Sequence, residues 1–202
     1  MPQKLKMLAA TNNKHKLEEI SAILKELDIE IISMQQAGID IEVEETGDTF
    51  MDNALLKVRE VAKLTDMAVI SDDSGLEVFA LKGEPGVKSA RYSGVEGAQK
   101  DKKNNEKLLK KLEGVPFQDR GARFCSVIAA VLTDGTNITA EGYVYGKIGY
   151  AEKGSHGFGY DPLFIVDGYD KTMAELSSEL KNIISHRANA LQDFVNKLKV
   201  II

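Results

Sequence analysis

The order strand, polar turn, amphipathic helix stands at the start of this chain and limits its possible folds more than any other feature. Met7-Leu8-Ala9-Ala10 is an apolar run of the length of a buried strand. Thr11-Asn12-Asn13-Lys14-His15-Lys16 follows, and Leu17, Ile20, Leu24 and Leu27 then recur at steps of three, four and three, the spacing of one helical face. Ile29 to Met34 reads as a second strand. A chain that alternates strands and helices buries its helices against a sheet, so the fold class expected is α/β.

Further along, Ile39 to Val43 alternates apolar and acidic residues before the loop Glu44-Glu45-Thr46-Gly47-Asp48-Thr49. The spacing predicts a helix from about Phe50 to Leu64 with Leu55, Val58 and Ala62 inward, then a strand from Met67 that ends at Ser71. Leu76 to Leu81 is a separate short strand candidate, closed by Gly83-Glu84-Pro85-Gly86. Residues 98 to 112 are charge-rich with Leu108, Leu109 and Leu112 on one side, the pattern of a solvated helix. Phe124 to Leu132, Asp134-Gly135 and Ile138 to Tyr145 form a hairpin signal, because Asp-Gly supplies the positive φ angles of a tight turn. A last helix places Leu191, Phe194, Val195 and Leu198 on one face. These elements give a single α/β domain over residues 1 to 202, built on a mixed, elongated sheet flanked by helices and pinched into two lobes around the hairpin.

Chemistry concentrates at Ser71-Asp72-Asp73-Ser74-Gly75, straight after an apolar run. Two Asp and a Ser before Gly are what a turn or helix cap requires. They are equally what a chain needs at a strand mouth to hold a divalent cation and take a proton from water. Adjacent strand residues point to opposite faces, so one carboxylate can act while the other supports it from beneath. Thr11, Asn13 and Lys16 lie in a strand-to-helix turn, where free N–H groups and the helix dipole favour an anion. Glu44 or Glu45 can join Asp72 or Asp73 around Mg²⁺, and Asn53 and Lys57 lie four apart on one helical face. Each of these also has a plain structural reading as a cap, a solvated loop or a surface lysine.

Gly154-Ser155-His156-Gly157-Phe158-Gly159-Tyr160-Asp161-Pro162 is less ordinary for a loop. Its glycines let backbone approach a flat ligand, its aromatics offer stacking faces, and Asp161 accepts hydrogen bonds. Lys181 and Ser185-His186-Arg187 follow at the opening of the last helix and supply donors for a keto group or phosphate.

Composition removes several function classes. With 202 residues, 43% hydrophobic content and a net charge of −5, the chain is globular and unsuited to non-specific binding of a nucleic-acid backbone. The single Cys125 excludes an intrachain disulfide framework. Met1-Pro2-Gln3-Lys4 opens no apolar signal region, and no run approaches the roughly 18 apolar residues of a membrane span, so a cytoplasmic protein is expected.

Taken in order, Thr11-x-Asn13-x-x-Lys16, Glu44-Glu45-Thr46-Gly47, Asn53 with Lys57, Asp72-Asp73-Ser74-Gly75, Ser89-Ala90-Arg91-Tyr92-Ser93-Gly94, Gly157-Phe158-Gly159-Tyr160-Asp161-Pro162 and Ser185-His186-Arg187 resemble one family throughout. It is the inosine triphosphatase, Ham1 or RdgB-like family of purine nucleoside triphosphate pyrophosphatases, in its bacterial branch. The resemblance implies hydrolysis of ITP, dITP and XTP to the monophosphate and pyrophosphate, with Mg²⁺, in a homodimer of two-lobed subunits whose active-site cleft lies between the lobes. It implies Asp73 as general base and metal-linked carboxylate, with Glu44 or Glu45 as a second ligand and Asp72 beside them. It places Thr11, Asn13, Lys16 and Lys57 on the phosphate side and makes Asn12, Lys14, His15, Asn53 and Ser74 substrate contacts. Phe158, Gly159, Tyr160, Asp161, Lys181, His186 and Arg187 fall on the base-binding side. Asn12 departs from the pattern, since bacterial relatives commonly carry Gly there, and Asn tolerates the left-handed region. A pyrophosphatase of pyrimidine or ordinary nucleotides and a non-catalytic nucleotide sensor are the alternatives.

Overall fold

The computed structural model describes residues 5–201, so the segment Met1 to Lys4, read above for a signal region, lies outside them. The elements are β1 (Leu5–Ala9), α1 (Lys14–Lys25), β2 (Ile29–Ser33), α2 (Phe50–Ala62), β3 (Ala68–Val78), α3 (Lys100–Lys111), β4 (Gly121–Val131), β5 (Asn137–Ile148), β6 (Phe164–Val166), α4 (Ser178–Ile184) and α5 (His186–Ile201). Among the described residues six strands form one sheet in the order β2-β1-β3-β4-β5-β6. β1 runs parallel to β2 and β3 while β5 runs antiparallel to β6, which makes the α/β sheet mixed as expected.

Local chemistry accounts for the elements that the periodicity foretold. Asn13 caps α1 by accepting from the Lys16 amide at 3.2 Å, and Thr49 caps α2 by accepting from the Asp52 amide at 3.1 Å. The β4–β5 hairpin turns where expected, with the Leu132 amide donating to the Thr136 carbonyl at 2.8 Å and Gly135 at φ +85°.

One expectation fails at the most interesting place. The strand does not end at Ser71; β3 continues through Asp72-Asp73-Ser74-Gly75 to Val78. Leu76 is therefore the continuation of the same strand, and residues 79–81 form a short 3-10 turn in place of a strand end. Asp72 and Asp73 are tolerated inside a buried strand because, as shown below, both are hydrogen-bonded and ion-paired.

The chain divides into two compact units. The first comprises Met1–Asp73, Ser126–Gly142 and Arg187–Ile202, the second Ser74–Cys125 and Tyr143–His186. In the first, Met7, Ala9, Ile70, Ile128 and Ala130 of the strands are buried with Ile20 and Leu24 of α1 and Leu191 and Phe194 of α5. In the second, Leu76, Val78, Phe124 and Phe164 are buried with Leu108, Leu163 and Met173. Removing such side chains from water contributes about 1.5–3 kcal/mol each. No helix among the described residues is long and apolar enough to cross a membrane.

Candidate active site

Because side chains alternate along β3, Ala68, Ile70 and Asp72 share the face that carries α1 and α5, and Ser71 and Asp73 share the face that carries α2. The two adjacent carboxylates consequently meet different partners. Asp72 is fully buried and accepts from Ser126 Oγ at 2.5 Å, Lys16 Nζ at 2.9 Å and Arg187 Nη2 at 3.2 Å. Arg187, itself 1% exposed, also donates through Nη1 to Glu19. Burial alone would raise the Asp72 carboxyl, but Arg187, then Lys16 and the Ser126 hydroxyl outweigh it and hold the group well below the usual carboxylate range.

Asp73 answers to α2. Lys57 Nζ donates at 2.8 Å to Asp73 Oδ1, to Glu45 Oε1 and to the Asp72 carbonyl, so one buried ammonium ties the strand to the acidic loop. Burial pushes Asp73 up to about 6. Lys57 and Lys16 oppose that rise and the neighbouring Glu45 charge adds to it. In Glu45, burial is outweighed by Lys57, and the carboxyl falls below its ordinary value. Glu45 and Asp73 are thus held on the same ammonium, each 2.8 Å from Lys57 Nζ. A carboxyl that retains a proton to near neutrality, beside a fixed ammonium, is suited to accept one from water.

The loop that presents Glu45 is held from α2. Asn53 Oδ1 accepts from the Gly47 amide at 2.8 Å. A Cβ on Gly47 would fall 2.6 Å from Asp52 Cβ and 2.8 Å from Asn53 Oδ1, so only glycine allows this approach. Asn53 Nδ2 is buried without a partner among the described residues, which leaves one donor over. Glu44 is exposed, whereas Glu45 is half-buried on Lys57.

At the β1–α1 turn, Thr11 Oγ1 accepts from the Asn13 amide and Asn13 serves as cap, so both side chains shape the turn. Lys16 is the member of this group brought to Asp72; Lys14 and His15 are exposed, with His15 Nδ1 4.0 Å from Glu18. Asn12 is not left-handed: its Nδ2 donates to the Ile41 carbonyl at 3.1 Å.

The Gly-rich segment belongs to the second unit. Lys181 Nζ donates to Asp161 Oδ2 at 2.6 Å, both side chains being about nine-tenths buried. Gly157, at φ +88°, lies against that pair so closely that any Cβ there would run into Asp161 Oδ2 and Lys181 Nζ. Tyr160 is 4% exposed and donates to the Ser89 carbonyl at 2.9 Å, which commits it to the interior. Phe158 and Gly159 are half-buried. His186 stacks on Phe124, with centroids 4.9 Å apart and planes 17° apart. Ser74, half-buried, follows Asp73 directly.

Three placements revise the sequence reading. Asp72 has its carboxylate on protein donors, which suits a support better than a metal ligand. Arg187 lies in the first unit and is ion-paired with Asp72 and Glu19. Ser126 and Glu19 enter the network without having been singled out, Ser126 because it sits inside the apolar run Phe124 to Leu132 that reads as a hairpin strand. A hydroxyl at a strand position whose neighbours at i±2 are buried was the signal available.

The Ham1 family profile matches residues 7–197. A dITP/XTP pyrophosphatase of Clostridium perfringens is 49% identical over 98% of this chain and 98% of its own length. The solved Staphylococcus aureus Ham1 protein aligns with a TM-score of 0.84 at 44% identity, over 98% of this chain and all of the other. The HAM1 protein of Coxiella burnetii aligns at 0.85 with 38% identity, over 96% and 98%.

Proposed function

This chain belongs to the Ham1 family, and from that premise we propose that it is a nucleoside triphosphate pyrophosphohydrolase acting on dITP, ITP and XTP. It releases the monophosphate and pyrophosphate and so clears non-standard purines from the nucleotide pool. The observation that carries the reading is Asp73, a buried carboxyl raised to about 6 and fixed on Lys57. Asp73 takes a proton from water as the water oxygen bonds to phosphorus and the phosphoanhydride bond breaks. Lys16 and Lys57 face the growing charge as fixed cations, and Asn53 Nδ2 is the spare donor for a phosphate oxygen.

The residues present also fit Mg²⁺. Glu45 Oε1 and Asp73 Oδ1 both lie 2.8 Å from Lys57 Nζ, so the two carboxylates converge on one point where a divalent cation could be held by one or both of them. Among the described residues no three His, Cys, Asp or Glu side chains group to hold a metal unaided, which suits a cation completed by water and substrate phosphates. When bound, Mg²⁺ supplies charge withdrawal from the triphosphate. Glu45→Gln should raise the Mg²⁺ concentration needed for half-maximal rate by roughly tenfold, about 1.4 kcal/mol, with Glu44→Gln unchanged. Equal Mg²⁺ titrations for both variants and the wild type would make the acidic loop simple surface.

Base selectivity falls to the second unit. Lys181 and His186 are donors for the 6-keto group of hypoxanthine or xanthine, and Phe158, the less buried aromatic, is the ring contact. An adenine amino group would leave those donors unpaired. Lys181→Ala should therefore reduce kcat/KM for ITP about three- to tenfold more than for ATP, the worth of one hydrogen bond. Proportional losses on both substrates would assign Lys181 to Asp161 and the fold alone. The function as a whole is tested by steady-state rates on ITP, dITP, XTP, GTP, ATP and dTTP with pyrophosphate detection. The first three should exceed the others, and equal rates on all six would overturn the purine-selective reading. A homodimer belongs to the proposal on the strength of the resemblance, and a cytoplasmic location on the single Cys125, which fits a reducing compartment.

A further inference from the structure

Helix α3 carries a stripe that its charged composition conceals. Asp101, Asn104, Asn105, Leu108 and Leu112 follow helical spacing on one face, and Asn104, Asn105, Leu108 and Leu112 are at most 3% exposed. Buried amides are costly unless bonded, so their partners show what this face is for. Asp101 Oδ2 accepts from the Gly159 amide at 2.8 Å, and Asn105 Nδ2 donates to the Gly159 carbonyl at 3.1 Å and to Glu152 Oε1 at 2.7 Å. One turn of helix thus holds both ends of the same residue. Asn104 meanwhile accepts from the Ser93 amide and donates to the Ser89 carbonyl, the group that also receives the Tyr160 hydroxyl.

Gly159 sits at φ +61°, with nothing within 4 Å of where a Cβ would be. Nothing packed against its Cα holds it there; its amide and carbonyl are bonded to α3, and the Asp161 amide donates across it to the Phe158 carbonyl at 3.2 Å. It lies between Phe158, the proposed ring contact, and Asp161, which holds Lys181. We propose that Asp101 and Asn105 are positioning residues for purine selectivity: by clamping the Gly159 peptide they fix Phe158 and the Asp161–Lys181 pair in the arrangement that reads the base. This rests on the purine-selective reading above.

The test combines selectivity with amide hydrogen exchange of the segment 157–162 in the full-length protein. Asp101→Ala removes the acceptor, Asp101→Asn keeps one, and Asn105→Asp replaces the donor with a second carboxylate beside Glu152. Asp101→Ala and Asn105→Asp should speed exchange at Gly159 and lower the ITP-to-ATP ratio of kcat/KM about three- to tenfold, mostly through KM for ITP. Asp101→Asn should stay within about twofold of wild type, a rescue that generic packing loss would not show. Unchanged exchange in Asp101→Ala overturns the clamp. Faster exchange with an unchanged ratio overturns its part in selectivity. A wild type that does not distinguish ITP from ATP overturns the purine-selective reading and takes this inference with it, a result separable from both others.

Discussion

Asp73→Asn is expected to lower kcat by about 10²–10⁴-fold, the range for a lost general base, while making the metal-free protein more stable at neutral pH. The two effects share one cause. Asp73 goes from an ordinary value of 3.8 to about 6 in the folded chain, so the native state holds its proton more tightly than the unfolded chain does. A raised carboxyl contributes stability that is complete below about pH 4 and lost as pH rises through about 6. The loss is on the order of 3 kcal/mol, at 1.36 kcal/mol per unit. Asparagine imitates the protonated form at every pH. Urea unfolding with chelator present should thus show the variant more stable than wild type at pH 7.5 and nearly equal at pH 4. Near-wild-type turnover would remove Asp73 from catalysis, and equal stability at pH 7.5 would mean that the carboxylate is well solvated in the folded chain.

Which features could be read beforehand follows from the range of the forces involved. α1, α2 and the β4–β5 hairpin were legible because caps, turn residues and apolar spacing act within a few residues. β3 was misjudged because Asp72-Asp73-Ser74-Gly75 is locally turn chemistry. What keeps it a strand comes from far along the chain: Lys57, sixteen positions from Asp73, and Arg187, one hundred and fifteen from Asp72. The contacts of Arg187 and Tyr160 were not legible for the same reason, since their partners Glu19 and Ser89 are distant in sequence. On α3, high charge hides the polar stripe, because the apolar period carried by Leu108 and Leu112 says nothing of the buried amides Asn104 and Asn105. The family resemblance points to Asp73 as the base but leaves Glu44 and Glu45 undivided; in the structure Glu45 is the one bonded to Lys57, while Glu44 is exposed.

The buried network around Asp72 carries the second large effect. Asp72→Asn should cost about 3–5 kcal/mol of stability, the penalty for leaving a buried charge uncompensated. Arg187, 1% exposed, would then face Glu19 with its principal counter-charge gone, and Lys16 would lose its anchor beside Asp73. Arg187→Met should cost a similar amount from the other side, because Asp72 and Glu19 would keep their charges with fewer cations. The double variant is the informative one. If each single loss is mostly the penalty of the orphaned partner, removing both should cost clearly less than the sum of the two, by about 1–3 kcal/mol. The pH dependence has the opposite sign to that of Asp73: a depressed carboxyl contributes stability above its unfolded value of 3.8, lost as pH falls through the folded one. Wild type should therefore gain over Asp72→Asn as pH rises from acid, whereas it loses against Asp73→Asn. Additive costs in urea unfolding, or single losses below about 1 kcal/mol, would mean that this cluster is solvated in the folded protein and that Lys16 is positioned by α1 alone.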